Sequence, residues 1–137
     1  MTLLRSPCSL PAAVLLAAAG LLLPACASTA EPGEAAESVV RRFFTQLPAG
    51  DCRQLEALLV TSSTRPCADT VRDLNAHAVR LQEVLSAQVD GRSPDAVLVR
   101  ARLAYGPNVK AQVLRVERHG GTWRLRLRAP PLPETSR

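Results

Sequence analysis

No charged residue occurs between Arg5 and Glu31, and inside that gap Ala12 to Leu23 form an unbroken run of apolar or small side chains. As a helix rising about 1.5 Å per residue, the run would reach roughly 18 Å, against a hydrocarbon core of about 30 Å. It is too short to span a bilayer comfortably. One basic residue, a short apolar stretch and then small residues are the layout of a secretory signal peptide covering residues 1–25. An uncleaved anchor that borrows its flanks is the alternative. Of the 137 residues, everything that must pack then lies beyond position 25. A chain of that size buries about 60 to 65% of its unfolded surface, which allows one small core.

The apolar run is followed by Leu23-Pro24-Ala25-Cys26. This resembles the lipobox of bacterial lipoproteins, in which an aliphatic residue, a small one and Ala or Gly precede the cysteine that becomes the new N-terminus. The resemblance implies a diacylglyceryl group on the Cys26 sulfur and cleavage after Ala25; Pro24 is a less usual occupant of its place. Each buried methylene contributes about 0.8 kcal/mol, and two acyl chains suffice for stable anchoring. Such a protein is exported and held on the cell envelope by its covalent lipid, without other cofactors. Ala27, where an Asp would mark retention at the inner membrane, implies the outer membrane if the host is Gram-negative.

Export decides how the other cysteines read. Cys8 falls in the signal and Cys26 takes the lipid, which leaves Cys52 and Cys67. In an oxidising compartment an isolated pair is most simply a disulfide, and closing a loop of about 16 residues stabilises by roughly 3 kcal/mol on chain-entropy grounds. Two free buried thiols, or a metal or redox role, are the alternatives. A zinc site wants four ligands, and His77 and His119 have neither the spacing nor the company.

Ala27 to Gly33 has no periodicity, so residues 26–33 read as lipidated cysteine plus tether. From Glu34 to Leu47 the apolar residues recur at three and four, which predicts a helix with Arg41 and Arg42 outward. Asp51 stands as the N-cap of a second helix, with Gln54 placed for a capping box and Leu55, Leu58 and Leu59 on its inner face. Pro66 suits the first turn of a third, in which Cys67, Val71 and Leu74 share a side. Cys52 and Cys67 then both sit at helix starts.

After Leu81 the pattern alternates, predicting strands over Val84–Val89, Ala96–Tyr105, Lys110–Arg118 and Thr122–Arg128. The third slips phase between Val113 and Leu114, which implies a bulge or bend. The residues from 129 to 137 hold three prolines and read as a disordered tail.

The expected architecture is α+β: three N-terminal helices packed on a curved four-stranded antiparallel sheet. Residues 34–128, with the Gly-Asp-Cys start of the second helix, the Pro-Cys start of the third and the closing Gly-Gly-Thr-Trp-Arg-Leu hairpin, resemble the nuclear transport factor 2-like superfamily. That group includes SnoaL-like and cystatin-like domains and small bacterial lipoproteins. The resemblance implies a cone whose mouth serves some members as an enzyme pocket and others as a contact surface. Its catalytic members need a carboxylate base inside the cone with donors opposite. Here the acids fall at caps, turns and solvent phases, so the expectation is a non-catalytic binding or interaction module. His77, Tyr105 and Trp123 are the candidate pocket groups of the alternative, a small-ligand site or isomerase-like enzyme.

The 16 Arg and one Lys against 12 acids give a formal charge of +5. By the alternation, Arg100, Arg102, Arg115, Arg124, Arg126 and Arg128 share the outward face, a candidate basic surface for anionic head groups or an acidic envelope partner; a solvated sheet face is the bland alternative. With only Phe43, Phe44, Tyr105 and Trp123 as aromatics, the chain lacks the stacking platforms of a single-stranded nucleic-acid binder. No metal site is expected, and a homodimer is compatible with the pattern.

Overall fold

A computed structural model describes residues 30–61 and 65–127. The expected signal peptide, Cys26 and most of the tether, together with Arg128 and the expected tail, lie outside the described residues. No helix among the described residues is long and apolar enough to cross a membrane.

Helix α1, Pro32–Gln46, opens on a proline in its first turn with Glu34 close behind, both suited to a helix start. Its buried residues, Ala36, Val39, Val40, Phe43 and Phe44, repeat at three and four. A single 3₁₀ turn, Leu47–Ala49, ends it. Gly50 then adopts the left-handed conformation (φ 69°) and donates its amide to the Leu47 carbonyl at 3.1 Å, a geometry glycine takes without penalty.

Helix α2, Cys52–Glu56, is only five residues long. Asp51 caps it, accepting from the Arg53 amide at 3.0 Å. The sequence placed Leu58 and Leu59 inside this helix; they lie past its end, where Leu58 is buried and Leu59 forms a β-bridge. Helix α3, Cys67–Ala76, starts one residue later than expected, with Pro66 at the N-cap in extended conformation. Cys52 and Cys67 form a disulfide, with Cα atoms 6.0 Å apart. It joins the first residues of α2 and α3. The Arg65–Asp73 ion pair and the Asn75 side chain, donating to the Leu47 carbonyl at 3.0 Å, add further ties.

Four strands follow: β1 Val79–Asp90, β2 Ser93–Tyr105, β3 Asn108–His119 and β4 Thr122–Arg126. They pair in chain order, all antiparallel. The class is therefore α+β with a four-stranded antiparallel sheet. Gly120 and Gly121, both at positive φ, turn the last hairpin in two residues.

Two differences from the expected strands have separate causes. β1 begins at Val79 rather than Val84, and the irregularities fall in β1, between Leu81 and Glu83, between Val84 and Ser86 and, at the hairpin end, between Val89 and Asp90. β3 pairs with β2 without a shift from Asn108 to Glu117, so the break expected at Val113–Leu114 is absent. Val113 simply points outward opposite Arg100, 63% exposed. An outward apolar residue imitates a phase slip, whereas a true bulge hides the alternation of the strand that carries it.

Helix α1 lies across the inner face and touches all four strands, whereas α3 reaches the sheet only at β1 and α2 packs chiefly on α3 and α1. The core sits beneath α1 and is centred on Phe43, Leu47, Leu55, Val97, Val99, Val116 and Leu125, all fully buried. Phe43 and Phe44 meet edge to face at 5.2 Å. The segment after α2 lies beside β4: the Leu125 amide donates to Leu58 O at 2.7 Å, and the Val60 amide to Leu125 O at 2.9 Å. Among the described residues, no buried side chain is polar or charged.

Candidate functional site

The outward face of β2, β3 and β4 gathers the chain's charge. Alternation along β3 turns Arg115, Glu117 and His119 to this face, and the two-residue hairpin sets Glu117 opposite Arg124 and Arg115 opposite Arg126. Arg126 grips Glu117 with two bonds, Nε to Oε1 at 2.8 Å and Nη2 to Oε2 at 2.7 Å. Arg115 donates Nε to Glu117 Oε1 at 2.8 Å and also pairs with Asp90. His119 Nε2 lies 3.1 Å from Glu117 Oε2.

These contacts shift the ionisation of the groups that make them. The Arg126 guanidinium, helped by Arg115 and His119 against a burial penalty, holds the Glu117 carboxyl down to about 2. The Arg92 amide and the Arg115 guanidinium hold Asp90 below the usual carboxylate range. Glu117 in turn holds Arg126 above its ordinary value, and Asp90 and Glu117 do the same for Arg115.

At the hairpin end Arg118 pairs with Asp95 and lays its guanidinium 5.4 Å from the centre of the Trp123 ring. Between these groups lies a shallow depression of about 250 Å³, bordered by Ser93, Asp95, Arg115, Glu117, Arg118 and His119. Another, of about 380 Å³, runs along the exposed side of α1 from Glu34 to Arg42.

Part of the expected basic face is thus an ion-paired lattice. Arg115 and Arg126 are neutralised by Asp90 and Glu117, and Arg102 lies 3.5 Å from Glu83. Arg100 is exposed and has no ion pair among the described residues. Arg124 is half-buried, its Nε without a partner among the described residues. Arg128 is outside them. At Arg115 and Arg126 an anion would have to displace carboxylates already in place, a contact worth little where both charges reach solvent.

The three pocket candidates do not converge. Val79 pairs with Tyr105, so His77 and Tyr105 belong to one end of the sheet. Trp123 pairs with Arg118 at the other end, on the order of 30 Å away along β2 at about 3.3 Å per residue. His77 is exposed, its Nδ1 2.8 Å from the Asp73 carbonyl. Tyr105 is half-buried on the inner side, and burial pushes its hydroxyl pKa up. Neither depression includes any of the three. Among the described residues, no cluster of His, Cys, Asp and Glu is arranged to hold a metal ion.

Sequence reasoning passed over Glu117, Asp90, Asp95 and Arg118. Asp90 and Asp95 read as turn residues, yet each reaches an arginine of β3 more than twenty residues away. For Glu117 a signal existed: it shares the alternation phase of Arg115 and lies three residues before the Gly120-Gly121 turn, which sets it against Arg124. No protein-family model matches the chain, and no curated protein is significantly similar to it.

Proposed function

We propose that the chain is an exported lipoprotein, anchored to the bacterial cell envelope through a diacylglyceryl group on Cys26. Its domain is a small nuclear transport factor 2-like cone that works as a non-catalytic binding or interaction module. The observation that carries this reading is the bridge between Cys52 and Cys67. A disulfide belongs to an oxidising compartment, and the sequence ahead of the domain, from the apolar run to Leu23-Pro24-Ala25-Cys26, is what would send it there. The cone reading draws support from α1 lying across one face of a bulged antiparallel sheet.

A pocket enzyme of the same fold is the less favoured reading. Tyr105 speaks for it, half-buried on the inner side. Against it, the buried described residues include no carboxylate to act as base, and the nearest imidazole, His77, is exposed.

The test is metabolic labelling of the full-length chain with an alkyne fatty acid in a bacterial host, combined with detergent phase partitioning. The native chain should take the label and enter the detergent phase, and Cys26→Ser should lose both behaviours. Equal partitioning of the two would refute the anchor.

A further inference from the structure

A sheet edge exposes unpaired N–H and C=O groups, and proteins blunt such edges with bulges, charges, proline or a covering segment. Two of the edges here are managed in those ways. β1 carries three irregularities and is overlain by α1. β4 is met by Leu58–Val60. The exception is the first half of β3: β4 runs beside β3 only from Arg115 to His119. Along Asn108–Leu114 no backbone partner occurs on that side among the described residues.

The backbone groups that face this gap can be identified. Leu125 gives both its N–H and its C=O to Leu58 and Val60, so the β4 residues bonded to β3 are its neighbours Arg124 and Arg126. Their partners are Glu117 and Arg115. Odd-numbered residues of β3 therefore turn their backbone toward the β4 side, and Val109, Ala111 and Val113 present theirs to the gap. The stretch has no proline, no bulge and one charge, Lys110. Every residue from Asn108 to Val113 is exposed, with Val109 at 49% and Val113 at 63%. The chain's own continuation is poorly suited to complete the ladder: in the β4 register residue 130 would stand opposite Ala111, and Pro130 has no N–H to donate there.

We propose that Asn108–Leu114 pairs with the same stretch of a second copy, antiparallel about a two-fold axis at Ala111, joining two sheets into one. This register uses the whole free stretch between the Gly106-Pro107 turn and Arg115, the partner of the last residue of β4. Val109 faces Val113 of the other copy, Ala111 faces Ala111, and each free N–H and C=O of these residues finds its counterpart. On the helix-free face the seam is lined by valine and alanine alone. On the other face Lys110 meets Gln112, so no like charges are opposed. The segment is complementary to itself, as an isologous contact must be. A contact of one strand belongs to the small, transient class of interfaces.

The test uses the full-length chain carrying Ala111→Cys, with the parent chain as control for its own thiols. In this register opposed Ala111 Cα atoms lie about 5.5 Å apart, within reach of a disulfide. Mild oxidation should give a covalent dimer from Ala111→Cys and none from Leu98→Cys, on the same face one strand away. In sedimentation, the parent chain should associate as concentration rises. Val109→Lys/Val113→Lys sets like charges across the seam at two exposed positions and should weaken association at least about tenfold, with circular dichroism verifying that the variant is folded. A parent chain that stays monomeric overturns the proposal. So does a dimer that ignores both lysines, or one captured equally at positions 98 and 111. A monomer that takes an unrelated strand on this edge would equally refute it.

Discussion

Glu117 is 15% exposed in its side chain and holds three cationic or polar partners at once, Arg115, Arg126 and His119. Its carboxyl is held from the ordinary 4.5 down to about 2. A depressed carboxylate stabilises the fold above its unfolded pKa, and this contribution disappears as pH falls from about 4.5 toward 2. Asp90, depressed in the same direction, adds a contribution that is lost as pH falls below its ordinary 3.8. Replacing Glu117 by Gln should therefore lower stability at pH 7 by on the order of 1 kcal/mol, allowing for solvent screening of its arginines. Urea titrations of the two proteins at pH 7 and at pH 2 should show the gap closing at the lower pH. A gap unchanged between them would assign the loss to packing instead of charge.

At the level of elements, legibility followed whether a segment's pattern was local. α1 was readable because Ala36, Val39, Val40, Phe43 and Phe44 lie on one stripe, and β4 because Trp123, Leu125 and Leu127 alternate cleanly with arginines. The first half of β1 was not readable: with irregularities between Leu81 and Glu83 and between Val84 and Ser86, its inward residues fall at intervals of two and three, which a helix also produces. The charge lattice was hidden for a different reason. Its pairs, such as Asp90 with Arg115, depend on a register between strands that no single segment contains. Helix α2 is the element with least support of its own, since five residues cannot sustain a helix in water. The disulfide to α3 supplies what it lacks. A Cys52→Ser/Cys67→Ser chain should lose about 2 to 4 kcal/mol in chemical denaturation. Hydrogen exchange should show the increase concentrated in α2 and α3 and spare the β2–β3 hairpin.

For the molecule as a whole, the main constraint is that its first and last parts complete one another. α1 packs on β4 as well as on the strands before it, and Leu125 is fully buried at their junction. A chain ending at His119 would lose Leu125 and the partner of Leu58 and Val60, with three-quarters of the sheet formally intact. It should nonetheless lack a cooperative thermal transition, because removing a fully buried leucine alone costs about 2 to 5 kcal/mol, a large part of a small domain's stability. A sharp calorimetric peak from that truncated chain would show the helices and first three strands to be self-sufficient.

The clasp between Leu58–Val60 and β4 carries a temporal meaning. Residues made early must wait, open, for a strand made more than sixty residues later before the Leu58 carbonyl and the Val60 amide are satisfied. Closure is postponed until β4 has emerged. The helical half of the domain is therefore left with an unfinished seam throughout the interval, and the order of synthesis becomes part of how the core is assembled.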